Sequence, residues 1–269
     1  MTRTSFAVEE RALLERVRSA VRAVEPGAQV ILYGSRARSD SGPESDWDLL
    51  ILVDGAARWE RQKALWDCLN QLELDTGQCI SAILRDREGW DSPRSRITPF
   101  HANVEDDGID LDTLKPAPRG DPTRFTEAQM AEAREEAVAE WMERAHRTLE
   151  EAALLAQNGS WHGCVNRLYY ACFDAVRALL LQRGYRFSRH SSVQSLFNRD
   201  FVHTGLVAGG LGDLYNMLFK QRGYADYVAF VRFDEASVRA WIAESERFIQ
   251  LIQSLVASAP NSIGPTSSA

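Results

Sequence analysis

Apolar positions recur every three to four residues in several long stretches and run unbroken in three short ones. The helical spacing predicts helices over residues 8–24, 58–74, 126–157, 161–183, 193–197, 210–222 and 234–256. The short apolar runs predict strands over residues 29–33, 48–53 and 79–84. Because every predicted strand precedes residue 85, the pattern indicates an α+β fold in which a small sheet comes first and an all-α segment follows.

A stretch rich in proline and glycine separates these two parts of the chain. It spans residues 115–124, and such composition is typical of a linker. We therefore predict a first domain over 1–114 and a helical domain over 125–257. Residues 258–269 are small and polar, which predicts a disordered tail.

Composition excludes several classes of protein. The net charge of −7 argues against a broadly basic surface for nucleic acid. No apolar run approaches the roughly 20 residues that cross a bilayer, so no membrane contact is expected. The four cysteines show no close pairing, which favours neither a disulfide framework nor a zinc site. Reduced thiols and the absence of an apolar signal-peptide core predict a cytoplasmic location.

Candidate chemistry lies at the ends of the first two predicted strands. The first strand ends in Gly34-Ser35, and the second begins around Asp46 and Asp48. Successive side chains on a strand alternate in direction, so the two carboxylates project the same way and repel each other unless a cation lies between them. Magnesium suits that position, and a glycine followed by unpaired helix amides favours a phosphate. The pattern predicts a joint phosphate and Mg²⁺ site.

The same residues also have a purely structural interpretation. Ser35 could cap the following helix, and the two carboxylates could open an edge strand as solvated charges. The position of both motifs at strand ends, in the order that the site needs, favours the ligand-binding interpretation.

Residues 33–53, which read YGSRARSDSGPESDWDLLILV, resemble the GS-x(n)-D-x-D signature of minimal nucleotidyltransferases in the polymerase-beta superfamily. Ser39 stands where that family usually has glycine, and Trp47 where it usually has isoleucine. The resemblance implies a small mixed sheet, Mg²⁺ held by Asp46 and Asp48, and ATP or another nucleoside triphosphate as substrate. It also implies that Gly34 and Ser35 bind the outer phosphates.

Two parts of that resemblance leave alternatives open. Arg36 and Arg38 either neutralise the departing pyrophosphate or are solvated helix residues. The family's third carboxylate normally comes from the next strand, where the expected position falls near Ser81. Asp75 and Asp86, at the two ends of that strand, are the candidate substitutes.

The helical half resembles a HEPN domain. The similarity is carried by WHGCVNRLYYACFDAVRALLLQRG (161–184), FSRHSSVQSLFNRDFVHTG (187–205) and LGDLYNMLFKQRGYADYVAF (211–230). Ribonuclease members of that family carry an arginine followed a few residues later by a histidine. Here Arg222 is followed by Asp226 instead, so no RNA cleavage is expected. The resemblance also implies a homodimer formed through the helices.

Together, the two resemblances imply a magnesium-dependent nucleotidyltransferase that transfers AMP from ATP to a hydroxyl group, in the manner of toxin–antitoxin pairs. The acceptor would be a protein, an RNA end or a small molecule. Tyr224 and Tyr227 flank Asp226 and are candidates for self-modification. The alternative is a non-catalytic nucleotide-sensing module with a degenerate HEPN domain, which the serine at position 81 and the missing histidine favour.

Overall fold

The structure is a computed structural model that describes residues 5–42, 44–187, 190–227 and 233–258. Its contacts divide the chain into two compact units, Met1–Met130 and Ala131–Ala269. Within the predicted disordered tail, residues 259–269 lie outside the described part of the chain.

The first unit alternates helices and strands. Its larger elements are α1 (Val8–Val24), β1 (Gln29–Tyr33), α2 (Gly34–Arg38), β2 (Trp47–Val53), α3 (Trp59–Thr76) and β3 (Ile80–Asp86). Its shorter elements are α4 (Arg87–Trp90), α5 (Pro93–Arg96), α6 (Pro99–Asp107), β4 (Ile109–Asp110) and β5 (Lys115–Pro116). The two predicted helices and three predicted strands are confirmed to within two residues at each end. The elements shorter than ten residues after β3 were not predicted, because they are too short to show a period.

The five strands form one mixed sheet in the order β3-β2-β1-β4-β5. β1 is antiparallel to β2 and β4, whereas β2 and β3 are parallel. One face of the sheet packs in the same apolar core as α1 and α3. The other face carries Ile31, Leu50 and Leu52, which pack with Val104 of α6. β2 is therefore buried on both faces for most of its length, and the candidate site lies at its amino end.

The predicted linker over 115–124 begins too early. Lys115 and Pro116 form β5, which pairs with β4 at the edge of the sheet, and the side chain of Ala117 is buried. An edge strand tolerates a proline because one side of its backbone needs no partner. The N–H of Gly120 also donates to the carboxylate of Glu105. These residues therefore belong to the first unit.

The second unit is helical throughout the residues that the structure describes. It contains most of α7 (Glu127–Gln157), followed by α8 (Trp161–Gln182), α9 (His190–Phe197), a π-helical turn (Asn198–Val202), α10 (Gly209–Tyr227) and α11 (Glu235–Ala257). These helices confirm the predicted helical bundle, and the π-helical turn was not predicted.

Helix α8 forms the centre of this second unit. Tyr169 is fully buried, and its ring stacks on that of Phe173, which is also buried, so both are packing residues. Asp174 is also buried and accepts two hydrogen bonds from Arg144 of α7, at 2.7 and 2.5 Å. The guanidinium of Arg177 lies 4.0 Å from the ring centroid of Trp141. An acidic group can be buried here because an arginine of the neighbouring helix satisfies it.

Among the helices of the described residues, none combines the length and the apolar character that a bilayer crossing requires.

Candidate active site

The candidate site is organised by a close approach between Gly34 and Asp48. Tyr33, the last residue of β1, pairs with Asp48 of β2, so the turn into α2 passes directly over the aspartate. Gly34 has φ +77°, a conformation that side chains disfavour. A Cβ atom at this position would lie 2.3 Å from Oδ2 of Asp48. Glycine is therefore required both by the backbone and by the carboxylate beside it.

Asp46 and Asp48 lie at the start of β2 and act on each other electrostatically. Asp46 is exposed just before the strand, and Asp48 is half-buried on it. Burial raises the pKa of the Asp48 carboxyl, and the negative charge of Asp46 raises it further, while the charge of Arg38 opposes both effects. The structure thus brings the two carboxylates close enough for the charge of Asp46 to act on Asp48, as the alternation along a strand predicts.

The donor set of this site fits a magnesium ion. Over the ranges that the structure describes, no protein group forms a hydrogen bond with the Asp48 carboxylate. Carboxylate oxygens are preferred ligands of Mg²⁺, which usually retains water or phosphate oxygens at its remaining positions. Within the same residues, no cluster of three or more His, Cys, Asp or Glu side chains could hold a metal. The protein would therefore contribute two carboxylates.

Ser35 does not cap the helix that follows it. Helix α2 begins at Gly34, Tyr33 occupies the cap position, and no side chain makes a capping hydrogen bond there. The capping interpretation of Ser35 is therefore wrong. The serine lies in the first turn, immediately after the glycine that approaches Asp48, where backbone N–H groups have no partner within the helix.

The two arginines of α2 have different surroundings. Arg36 is buried and donates from Nε and Nη2 to the carbonyl oxygen of Ser45, at 3.0 and 2.8 Å, so it is not a solvated residue. Arg38 forms ion pairs with Asp107 at 2.7 Å and with Asp40 at 3.2 Å. Of the two, only Arg38 opposes the rise of the Asp48 pKa.

Ser39 ends α2 in a left-handed conformation, with φ +66°. This geometry explains why glycine is usual at this position in the resembling family. We expect Ser39→Gly to raise the free energy of unfolding by about 1 kcal/mol, because a residue with a Cβ atom is strained in the left-handed region. Urea unfolding measures this effect, and Ser39→Ala is the matched control that should show no gain. A glycine variant no more stable than the alanine variant would contradict the explanation.

Neither proposed substitute for the third carboxylate reaches the site. Ser81 of β3, the position near which the resemblance places the third carboxylate, pairs with Asp48. Asp86 pairs with Val53 at the opposite end of β2 and caps α4. Asp75 lies on α3 and forms an ion pair with Arg16 of α1 at 3.2 Å.

Cys79 is a neighbour of the site that the sequence analysis missed. It precedes β3, its carbonyl accepts a hydrogen bond from the N–H of Trp47, and its thiol lies near the Asp46 carboxylate. That carboxylate raises the pKa of the thiol. Cys79 and Ser81 are two residues apart, as are Asp46 and Asp48 on the neighbouring strand. Because side chains alternate along a strand, this equal spacing is the signal that could have identified the cysteine.

In the second unit, the motif residue Arg222 lies on α10. Its guanidinium carbon is 5.7 Å from the ring centroid of Tyr169 and 5.5 Å from that of Tyr170, both on α8. The side chains of the other motif residues, Tyr224, Asp226 and Tyr227, lie outside the described part of the structure.

Comparison with known proteins agrees with this architecture. The nucleotidyltransferase domain family matches residues 13–101, and the HEPN domain family matches residues 138–255. A UPF0332 protein of Thermotoga maritima is 44% identical over 123 residues, which are 46% of this chain and 93% of the relative. The chain belongs to the UPF0332 family. It carries a nucleotidyltransferase domain followed by a HEPN domain, as the sequence predicted.

Two further relatives have lower sequence identity to this chain. The UPF0332 protein PH1297 of Pyrococcus horikoshii is 33% identical over 87 residues, which are 32% of this chain and 52% of the relative. A protein of Methanocaldococcus jannaschii named "Putative toxin MJ0605" is 30% identical over 112 residues, which are 42% of this chain and 83% of the relative.

The nucleotidyltransferase domain of the first unit implies that the substrate is a nucleotide.

Proposed function

We propose that this protein transfers AMP from ATP to a hydroxyl group in a magnesium-dependent reaction. The observation that carries the proposal is the packing of the Asp48 carboxylate against Gly34, with Asp46 two residues earlier and a helix starting at the glycine. The alternative in which the two carboxylates open an edge strand is wrong, because β2 lies between β1 and β3. An inner strand with only a structural role gains nothing from holding two carboxylates together, because their repulsion destabilises the folded chain.

Each residue of the site has a role in this proposal. Asp46 and Asp48 would hold Mg²⁺, which supplies charge neutralisation to phosphate oxygens when bound. Backbone N–H groups at Gly34 and Ser35 would bind the outer phosphates, and Arg38 would balance charge as pyrophosphate forms. The acceptor oxygen forms a bond to the α-phosphorus and releases its proton to solvent. The bond to the bridging oxygen breaks, and pyrophosphate leaves with the electron pair.

A protein hydroxyl is the acceptor class that we favour. A HEPN domain lies in the same chain, and two relatives carry the name "Putative toxin", which together fit a toxin–antitoxin-like modification. Tyr224 and Tyr227, beside Asp226, are the candidates within this chain. Mass spectrometry after incubation with ATP and Mg²⁺ should show an AMP adduct on one of these tyrosines, and Tyr224→Phe/Tyr227→Phe should remove it. An unshifted mass at both tyrosines would exclude self-modification.

A homodimer formed through the HEPN helices is a further proposal. Light scattering tests it by measuring the molar mass of the protein in solution.

Restoring the third carboxylate should increase the transfer rate. Ser81 is exposed and pairs with Asp48 in the parallel register, so an aspartate there would stand beside the two existing carboxylates. We expect Ser81→Asp to transfer about tenfold faster or more, since a positioned base contributes at least that much. Ser81→Asn is the matched control, with nearly the same shape and no charge. Equal rates for the two variants would show that the missing carboxylate does not limit the reaction.

The experiment that tests the proposal uses ATP labelled at the α-phosphate. The purified protein is incubated with labelled ATP, Mg²⁺ and cell extract, beside an Asp46→Asn/Asp48→Asn variant. Label transferred by the wild type alone supports catalysis, and the labelled species identifies the acceptor class.

The second candidate function is a nucleotide sensor without transfer. This function is favoured because the site has two carboxylates, whereas nucleotidyltransferases of the resembling family usually have a third carboxylate there. ATP binding that depends on Mg²⁺, is lost in the double variant and yields no labelled product would establish this function instead.

A further inference from the structure

Arg36 contacts the chain just before the two aspartates. Its guanidinium donates two hydrogen bonds to a single carbonyl oxygen, that of Ser45, at 3.0 and 2.8 Å. Its Nη1 atom also lies 4.0 Å from a carboxylate oxygen of Glu10 in α1. Ser45 directly precedes Asp46, so this side chain fixes the backbone on one side of a predicted metal ligand.

Trp47 fixes the backbone on the other side of Asp46. Its side chain is 2% exposed and packs on the sheet face opposite Asp48. Its N–H donates to the carbonyl of Cys79 at 2.9 Å, and its indole Nε1 donates to Oε1 of Gln78 at 3.1 Å. Both bonds attach Trp47 to the segment that enters β3.

Arg36 and Trp47 also contact each other. The guanidinium carbon of Arg36 lies 4.5 Å from the ring centroid of Trp47, within the range of a cation–π interaction. One contact network therefore holds residues 45 and 47, while the Asp46 side chain between them stays exposed.

We propose that Arg36 and Trp47 together form a clamp that positions Asp46 for divalent-ion binding. This inference rests on the proposed function of the site. Arg36 acts through the Ser45 carbonyl and is a positioning residue. A lysine could not provide the two-pronged donor geometry of a guanidinium. An isoleucine at position 47, usual in the resembling family, would fill space but would offer neither an aromatic face nor an indole N–H. The tryptophan and the buried arginine therefore depend on each other.

The test measures Mn²⁺ affinity of the full chain by the electron paramagnetic resonance signal of free Mn²⁺. We expect Arg36→Lys and Trp47→Ile each to weaken binding by about tenfold, the usual effect of removing a residue that orients a metal ligand. The double variant should be weakened by much less than the product of the two effects, because both changes disrupt one clamp. Trp47→Phe keeps an aromatic face and should bind more tightly than Trp47→Ile. Arg22→Lys, which alters an exposed ion pair with Asp112, is the matched control and should bind as the wild type does.

Specific results would overturn the clamp. Mn²⁺ affinities within twofold of the wild type in Arg36→Lys and Trp47→Ile, with lowered unfolding free energies, would show a merely structural role. If Arg36→Lys does not fold, equal affinities of Trp47→Phe, Trp47→Ile and the wild type would exclude the clamp. Asp46→Asn separates this failure from failure of the site: if that variant loses Mn²⁺ binding while the clamp variants keep it, only the clamp is wrong. If Asp46→Asn binds as the wild type does, the proposed site itself is wrong, and the clamp with it.

Discussion

Replacing Asp48 with asparagine should abolish nucleotidyl transfer and at the same time stabilise the ligand-free protein at neutral pH. The loss of transfer should be on the order of a thousandfold or more, since one preorganised electrostatic group can contribute that much. The gain in stability has a separate cause. Burial and the charge of Asp46 both raise the pKa of Asp48, so the ionised carboxylate is less favourable in the folded chain than in the unfolded one.

The sign of the pH dependence follows from that direction. A carboxyl whose pKa is raised on folding binds protons more tightly in the folded state, so the free energy of unfolding falls as pH rises from the ordinary value of 3.8 to the raised one. The difference in free energy of unfolding between Asp48→Asn and the wild type should therefore grow between these two pH values and stay constant above them. Urea unfolding at a series of pH values measures it. Millimolar Mg²⁺ should stabilise the wild type and not the variant. A variant that is less stable than the wild type at pH 7 without Mg²⁺ would contradict this account.

Gly34→Ala should reduce transfer by about a hundredfold or more and also destabilise the fold. Left-handed backbone strain costs about 1 kcal/mol with any side chain. At Gly34 the new methyl group would also lie 2.3 Å from Oδ2 of Asp48, so the carboxylate must move. A displacement of about 1 Å at a catalytic group can cost about a hundredfold in rate. Enzyme assay and urea unfolding measure the two effects.

Gly77→Ala is the matched control for this prediction. Gly77 has φ +68°, close to that of Gly34, but a Cβ atom there would meet nothing within 4 Å. This variant should lose about 1 kcal/mol of stability from backbone strain and keep its transfer rate. Equal transfer by Gly34→Ala and Gly77→Ala would show that the contact between Gly34 and Asp48 has no role in the reaction.

The outline of this site could be predicted from sequence because it depends on local rules. Alternation along a strand places Asp46 and Asp48 together, and a glycine at a strand end predicts a close approach. The structure shows in addition that the group next to this glycine is the Asp48 carboxylate. Both domain assignments could be made for the same reason, since their motifs lie within short continuous segments.

Other features depend on contacts between distant residues and could not be predicted. The sequence offered two environments for Arg36, and neither included the carbonyl of Ser45 on the loop nine residues later. Asp75 and Asp86 flank β3 in sequence, yet the parallel register places Ser81 rather than either of them beside Asp48. The early start of the predicted linker has a similar cause. Considered alone, a proline such as Pro116 predicts a break in regular structure, but it is an ordinary residue in a strand at the edge of a sheet.

The central claim is that Gly34, Asp46 and Asp48 form a metal-dependent nucleotide site. Calorimetric titration of α,β-methylene-ATP, which cannot be cleaved between its α- and β-phosphates, tests it most directly. We predict binding to the wild type in the presence of Mg²⁺, and none when EDTA replaces the metal or when asparagine replaces Asp48. Binding that is equally tight without a divalent ion, or unchanged in Asp48→Asn, would contradict the claim.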